Sequence, residues 1–250
     1  MIKFFITIAI LGFIWTVIIE PYILTVKHIN FHFDGLKIVF LSDLHIKPYE
    51  TFRLKRIVKL VNEQNPDLVL FGGDFVNSHN KKYTLSVEKI STELGKIKSK
   101  YGKFAVLGNH DGWQGANQII NALEAARIKV LQNENVHIKG VTVAGVEDIQ
   151  TGNPEIEKSL INYSGKILLL THSPDIFPQV PDNISLTLAG HTHGGQVVFF
   201  RPILVPSKYG KKYAYGIVKE GSKTLYTTRG LGNSILPVRF FCPPEIVVIE

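Results

Sequence analysis

Residues 36–45 read LKIVFLSDLH, an apolar run from Leu36 to Leu41 followed by a polar turn carrying Asp43 and His45. A run of bulky apolar residues with no polar alternation marks a strand buried on both faces, as in a sheet covered by helices. The pattern recurs at Asp67–Phe71 (DLVLF), which ends in Gly72-Gly73-Asp74, and at Lys103–Leu107 (KFAVL), which ends in Gly108-Asn109-His110-Asp111. Helical stretches follow each strand. Thr51–Asn62 sets Leu54, Ile57, Val58 and Val61 on one face, and Thr84–Ile97 and Gln114–Ala126 come after the second and third strands. Alternating strand and helix define an α/β sheet, and ligands of such sheets bind beyond the carboxyl ends of the strands.

The rest of the chain is richer in strands. Ile128–Leu131, Val136–Ile138, Val141–Val146, Lys166–Leu170 and Ile184–Leu188 are followed by Gln196–Phe200, Ala214–Val218, Thr224–Thr228 and Ile246–Ile249, with a hairpin turn at Glu220-Gly221. Neither a repeat nor a low-complexity linker divides residues 36–250, which read as one domain. The expected architecture is a four-layer α/β sandwich: two mixed β-sheets packed face to face and flanked by helices. Of the 250 residues, 45% are hydrophobic, enough for a sizeable core and too many for a disordered chain. Cys242 is the only cysteine, which excludes an intramolecular disulfide and a thiolate metal cluster. The net charge of +7 suits an anionic partner without choosing among phosphate esters, acidic lipid and nucleic acid.

Five strand ends carry side chains of metal-ligand type: Asp43 and His45, Asp74, Asn109 and His110, His172, and His191 with His193. Any one of them alone reads as a turn residue. The whole set, in glycine-flanked loops, reads as a site, because ends of neighbouring strands converge in space. In Asp43-x-His45 and His191-x-His193 the residues are two apart and project to one side of an extended segment, so both reach one ion. Oxygen and imidazole donors without thiolate suit Mn²⁺, Fe²⁺ or Zn²⁺, which the sequence does not rank; Mn²⁺ is taken as the favoured expectation. Asp74, on the middle strand of three, is the candidate to bridge two ions.

Asp43-x-His45, Gly73-Asp74, Gly108-Asn109-His110-Asp111, His172 and Gly190-His191-Thr192-His193 resemble, in order, the five signature blocks of the calcineurin-like metallophosphoesterases. Within that superfamily GHTHGGQV at Gly190–Val197, Pro206–Gly210 and the stretch Thr228–Ile246 look like the membrane-associated bacterial branch, which includes phosphodiesterases and a UDP-2,3-diacylglucosamine pyrophosphatase of lipid A synthesis. The resemblance implies that Asp43, His45, Asp74 and His193 hold one divalent ion and that Asp74, Asn109, His172 and His191 hold a second. A hydroxide bridging them would attack phosphorus, and His110, not a ligand, would face the leaving oxygen. One position departs from the pattern: many members carry an Asp three residues after the bridging Asp, where this chain has Asn77. An amide supplies no charge to an imidazole, so His110 is expected to act as a hydrogen-bond donor unless Asp111 compensates.

Other features weigh less. Arg229 is a candidate for binding substrate phosphate. Lys47, Arg53, Lys55 and Arg56 suit an anionic headgroup or a solvated helix face, and Val238, Phe240 and Phe241 suit the core, acyl chains or a membrane interface.

Phe4–Ile19 (FFITIAILGFIWTVII) is an uninterrupted apolar run that extends past Glu20-Pro21 through Tyr22, Ile23, Leu24 and Val26. A bilayer span needs roughly 20 residues, and Trp15 and Tyr22 suit its interfaces. Residues 1–26 therefore read as an uncleaved transmembrane anchor. A signal peptide is the alternative, with Lys3 as its positive end, but no small-x-small cleavage site follows. Lys27–Gly35 reads as a link of at most about 30 Å, which keeps the domain beside the membrane. The expected location is the inner cell membrane with the domain on the cytoplasmic face. The expected reaction is metal-dependent cleavage of a phosphodiester or pyrophosphate bond in a lipid-linked substrate such as UDP-2,3-diacylglucosamine. The alternatives are a tethered general phosphodiesterase or phosphomonoesterase, and a non-catalytic scaffold. Nucleic acid is not an expected substrate, because no basic-aromatic strand-tracking motif is present.

Overall fold

The structure, a computed structural model, describes residues 1–77, 80–234 and 236–250. Ser78, His79 and Ile235 lie outside the described residues, Ile235 within the Thr228–Ile246 motif.

Two six-stranded sheets stack face to face. The first contains β1 (Thr25–Ile29), β2 (Ile38–Leu41), β3 (Leu68–Phe71), β4 (Lys103–Ala105), β5 (Lys129–Val130) and β14 (Glu245–Ile249) in the order β1-β14-β2-β3-β4-β5. Only the β14–β2 pair is antiparallel. The second contains β6 (Glu134–Ile138), β7 (Val141–Gly145), β8 (Lys166–Leu170), β9 (Leu186–Ala189), β12 (Gly216–Glu220) and β13 (Lys223–Thr227) in the order β12-β13-β9-β8-β7-β6, with antiparallel pairs at its two edges.

Strand alternation divides each apolar run between two cores. Ile38 and Phe40 of β2 face the other sheet, beside Leu70, Leu170 and Leu188, whereas Val39 and Leu41 face the helices. All four are fully buried, each worth roughly 1.5–3 kcal/mol, which holds the strand and its terminal Asp43 loop in register. The helical layer consists of α2 (Thr51–Glu63), α3 (Val87–Leu94) and α4 (Asn109–Ala125), with Leu54, Ile57, Val58 and Val61 of α2 inward. The fourth layer is thinner, built from α5 (Ile156–Ser159) and the 3₁₀ segments Pro174–Gln179 and Gly210–Tyr213.

Of the boundaries that differ from the sequence reading, three bear on the site or the N-terminal helix. The third helix starts at Asn109 instead of Gln114, because Asp111 accepts from the Gly108 amide and closes the first turn; Gly115, at φ 128°, then kinks it. The strand expected at Ala214 begins at Gly216, since the Ala214 carbonyl is taken by the Thr192 hydroxyl at 2.6 Å. Most consequentially, the expected link Lys27–Gly35 begins within a strand: β1 pairs in parallel with β14, Lys27 opposite Val247 and Ile29 opposite Ile249. Its partner lies at the far end of the chain, so local alternation does not reveal it.

The apolar N-terminal helix, Ile2–Tyr22, has a mean hydropathy of 2.4 and is a candidate membrane anchor. It runs through α1 (Ile2–Ile14), a π-turn at Trp15–Ile19 and a 3₁₀ turn at Glu20–Tyr22. It is pinned to the domain: the buried Glu20 carboxylate accepts from the Trp15 indole at 2.7 Å and the Cys242 amide at 2.6 Å.

Candidate metal centre

The carboxyl ends of β2, β3, β8 and β9, together with the start of α4, bring Asp43, His45, Asp74, Asn109, His172, His191 and His193 into one buried cluster. Asp74 lies between its neighbours. Its Oδ2 is 3.3 Å from His45 Nε2 and 3.4 Å from His172 Nε2. On one side His193 Nε2 is 3.1 Å from His45 Nε2 and 3.6 Å from Asp43 Oδ1. On the other, Asn109 Oδ1 is 3.1 Å from both His172 Nε2 and His191 Nδ1.

Five of these seven residues are held in the left-handed backbone region: Asp43 (φ 54°), His45 (43°), Asp74 (56°), His191 (70°) and His193 (52°). Each such residue costs about 1–3 kcal/mol, and strain of this kind concentrates at functional sites. Glycines make the approach feasible. A side chain on Gly108 would strike the Asp74 carboxylate, and one on Gly190 would strike Ser42 and Asp43.

The donor set fits cations. His172 donates its Nδ1–H to the Gly72 carbonyl at 2.7 Å, and His193 donates its own to Gly232 at 3.3 Å. Both rings therefore turn a lone pair at Nε2 toward carboxylate, carboxamide and imidazole atoms that are themselves acceptors. Buried acceptors facing one another at 3.1–3.6 Å need a proton or a cation between them. Three overlapping groups, Asp43/His45/His193, His45/Asp74/His110 and Asp43/Asp74/His172, each present their donor atoms within 4.8 Å of one another, a reach that fits more than one divalent ion.

Electrostatics agree. Burial and then the His45 ring hold His193 well below the ordinary imidazole range, and burial and His172 lower His191, so both are neutral and free to ligate. Burial opposes charge on Asp74, but the His172 and His45 imidazoles outweigh it and keep the carboxyl well below its usual range. Burial likewise opposes charge on His172, yet Asp74 outweighs it and raises that ring, which a bound cation would deprotonate.

His110 stands at the rim. Its ring packs edge-on to His45, 4.7 Å between centroids, and 5.2 Å from Trp113. Burial lowers its pKa to about 4 despite the pull of Asp74. Neither nearby candidate supplies a supporting carboxylate. Asn77 turns its amide to the Tyr83 carbonyl. Asp111 is consumed by backbone amides: Asp74 and Gly108 donate to Oδ2 at 2.8 and 3.0 Å, Phe75 and Val76 to Oδ1 at 2.9 and 3.3 Å. It braces the metal loops and does not compensate for Asn77.

A cleft of about 1120 Å³ opens above the cluster. Tyr49, Tyr83, Trp113, Leu204, Val205 and Leu236 form much of its wall, with Lys47 and Lys82 among them. Arg229, expected to bind phosphate, is not in that wall. Its guanidinium lies 4.8 Å from the Tyr215 ring and its Nε 3.9 Å from Glu245 Oε2, because the buried Glu245 carboxylate draws it away. Arg53 is buried against Glu50, and Arg56 donates to the Tyr22 carbonyl. Sequence reasoning missed Gln150, whose amide is 3.2 Å from His191 Nε2, although it follows the predicted strand Val141–Val146. It also missed Arg239, whose position alone in the apolar stretch VRFFC signals a buried cation.

Residues 36–195 match the family model described as calcineurin-like phosphoesterase. The chain is 36% identical to the metallophosphoesterase YkuE of Bacillus subtilis over 86% of its length and 79% of that protein's. It is 33% identical to the phosphodiesterase YaeI of Escherichia coli over 86% and 81%, respectively. Among solved structures, a dimetal phosphatase from Danio rerio shares the fold, with a TM-score of 0.52, 10% identity and coverage of 78% of this chain and 88% of that one. The chain belongs to the calcineurin-like phosphoesterase family. It is a metal-dependent phosphoester hydrolase.

Proposed function

We propose that the chain cleaves a phosphodiester or pyrophosphate bond in a lipid-linked substrate, of the UDP-2,3-diacylglucosamine type, at the surface of the inner membrane. The supporting observation is the cleft: a polar floor at the Asp74 cluster beneath a wall of Tyr49, Tyr83, Trp113, Leu204, Val205 and Leu236. An amphiphilic phosphate ester needs that order, charge below and hydrocarbon above. A small soluble phosphate ester would leave the aliphatic part of that wall, Leu204, Val205 and Leu236, unused.

In this reading Asp43, His45, Asp74 and His193 would hold one ion and Asp74, Asn109, His172 and His191 the other; Mn²⁺, Fe²⁺ and Zn²⁺ all suit such mixed donors, and Mn²⁺ is the one we propose. Two divalent ions there supply Lewis acidity toward a phosphoryl oxygen and lower the pKa of a water. Lys47 and Lys82 attract the anionic group into the cleft. His110, neutral at pH 7, donates a hydrogen bond from its ring N–H to the leaving oxygen. Trp113 and the tyrosines exclude water around it. The domain faces the cytoplasm.

The test is kcat/KM for matched substrates with and without acyl chains, using the full chain in detergent micelles. Burying two methylenes is worth about 1.6 kcal/mol, so a preference above about tenfold is expected. A preference below about threefold overturns the lipid reading.

A further inference from the structure

Beside the cleft, the chain exposes apolar side chains that neither the metal cluster nor the core uses. β10 (Val198–Phe199) and β11 (Arg201–Pro202) form a small hairpin with Phe199 60% and Phe200 93% exposed. Phe200 sits at φ 61°, a conformation costly for an aromatic residue, and the turn directs it outward. Phe241 is 66% exposed, packed 4.4 Å from Phe240. Ile203 and Leu204, just past the hairpin, are exposed, as is Leu236, whose carbonyl accepts from Gln196 Nε2 at 3.4 Å.

This patch is joined to the apolar helix by backbone hydrogen bonds. The Arg239 amide donates to the Thr16 carbonyl at 2.9 Å, and the Val198 amide donates to the Phe240 carbonyl at 2.9 Å. Thr16 lies inside the apolar helix, and Ile18 and Ile19 beyond it are still exposed. Whatever solvates those isoleucines therefore reaches the level at which the Arg239 backbone is bonded to the helix, one residue before Phe240.

The geometry points to a membrane-docking face: the 198–204 hairpin and the 236–241 segment insert their aromatic and aliphatic side chains into the headgroup–acyl boundary of the bilayer that holds the helix. Exposed apolar side chains of this kind mark an interaction site, and continuity with the helix selects lipid as the occupant. Exposed Arg201, at the hairpin, suits anionic headgroups. Because the docked helix is clamped through Glu20, the face is fixed relative to the cleft. Leu204 and Leu236 belong to both the face and the cleft wall, so the cleft mouth opens toward acyl chains. This rests on the helix being the membrane anchor of the proposed function, but not on the proposed reaction, since the test reads immersion and not hydrolysis.

Phe200→Cys and Phe241→Cys, made separately in the full chain, carry an environment-sensitive fluorophore in nanodiscs of phosphatidylcholine and phosphatidylglycerol. Native Cys242 is buried and escapes labelling. Lys129→Cys, on β5 at the sheet edge opposite β1, is the control. Lipids carrying a nitroxide near the headgroup are expected to quench the probes at 200 and 241, at a depth of about 5–10 Å, and to leave 129 unchanged. Absence of quenching at both 200 and 241, or equal quenching at 129, overturns the proposal. Each labelled protein is first checked for hydrolysis of a soluble nitrophenyl phosphodiester; if Phe200→Cys fails that check, Phe199→Cys replaces it.

Discussion

Arg239 and His193 meet at one acceptor, the carbonyl of Gly232. His193 donates to it from Nδ1 at 3.3 Å, and the fully buried Arg239 donates from Nη2. The same guanidinium binds Asn233 Oδ1 and the Cys242 and Arg229 carbonyls. Burial lowers its pKa to about 10, so it is cationic at neutral pH. A charge beside a metal ligand is thus spent on holding the 229–233 loop, which in turn fixes the tautomer of His193.

Arg239→Met therefore strikes both stability and metal binding. Each orphaned buried acceptor costs about 1–3 kcal/mol, and loosening a group that orients a ligand typically costs about 10–100-fold in metal affinity. Thermal unfolding and a metal titration check both effects. Arg239→Lys is expected to recover little, since one ammonium cannot reach acceptors spread around a planar fork.

Asp74→Asn is expected to remove both ions together, because Asp74 stands between the two groups of donors. Elemental analysis should show loss of bound metal and turnover should vanish, more completely than for His45→Ala or His191→Ala. Retention of two ions with near-normal turnover would exclude Asp74 as the bridge.

Removing metal with a chelator leaves buried acceptors facing one another, and the protein should unfold at lower temperature. Restoring Mn²⁺ at 100 times its dissociation constant should stabilise the fold by about 2.7 kcal/mol. An unfolding temperature indifferent to metal would argue against the ligand set.

His110→Ala should retain most metal yet lose about 10²–10⁴-fold in kcat, less with nitrophenyl leaving groups. The sign of its pH dependence follows from burial, which depresses the pKa to about 4. Bound cations push the same way. The ring is then neutral throughout pH 6–8, and the acid limb of the wild-type rate profile should not change in that interval when His110 is replaced.

Asp111→Asn tests the brace. Whichever way the amide turns, its NH₂ confronts two buried N–H donors, a cost of about 1–3 kcal/mol for each one left unpaired. A fall in stability with loss of metal, without a leaving-group dependence, separates this role from that of His110.

Much of the fold was legible because its signals are local. Strands such as Ile38–Leu41, buried on both faces, must be apolar throughout, and the side chains just past their ends are the ones that converge, so Asp43, His45, Asp74, Asn109, His110, His172, His191 and His193 stood out by position and residue type, and the family resemblance set His110 apart from the other seven. The apolar helix was equally plain. The tertiary structure alone decided which partner each remaining charge takes. Arg229 turns to Glu245, Asp111 to four amides and Arg239 to the Gly232 loop, while Glu20 reaches Cys242 across nearly the whole chain. It alone also paired Thr25–Ile29 with Glu245–Ile249 and bonded the Arg239 amide to the Thr16 carbonyl of the helix. Apolar burial leaves a periodic trace along the chain, whereas a buried charge selects its partner by distance and desolvation after folding, and that choice leaves no such trace.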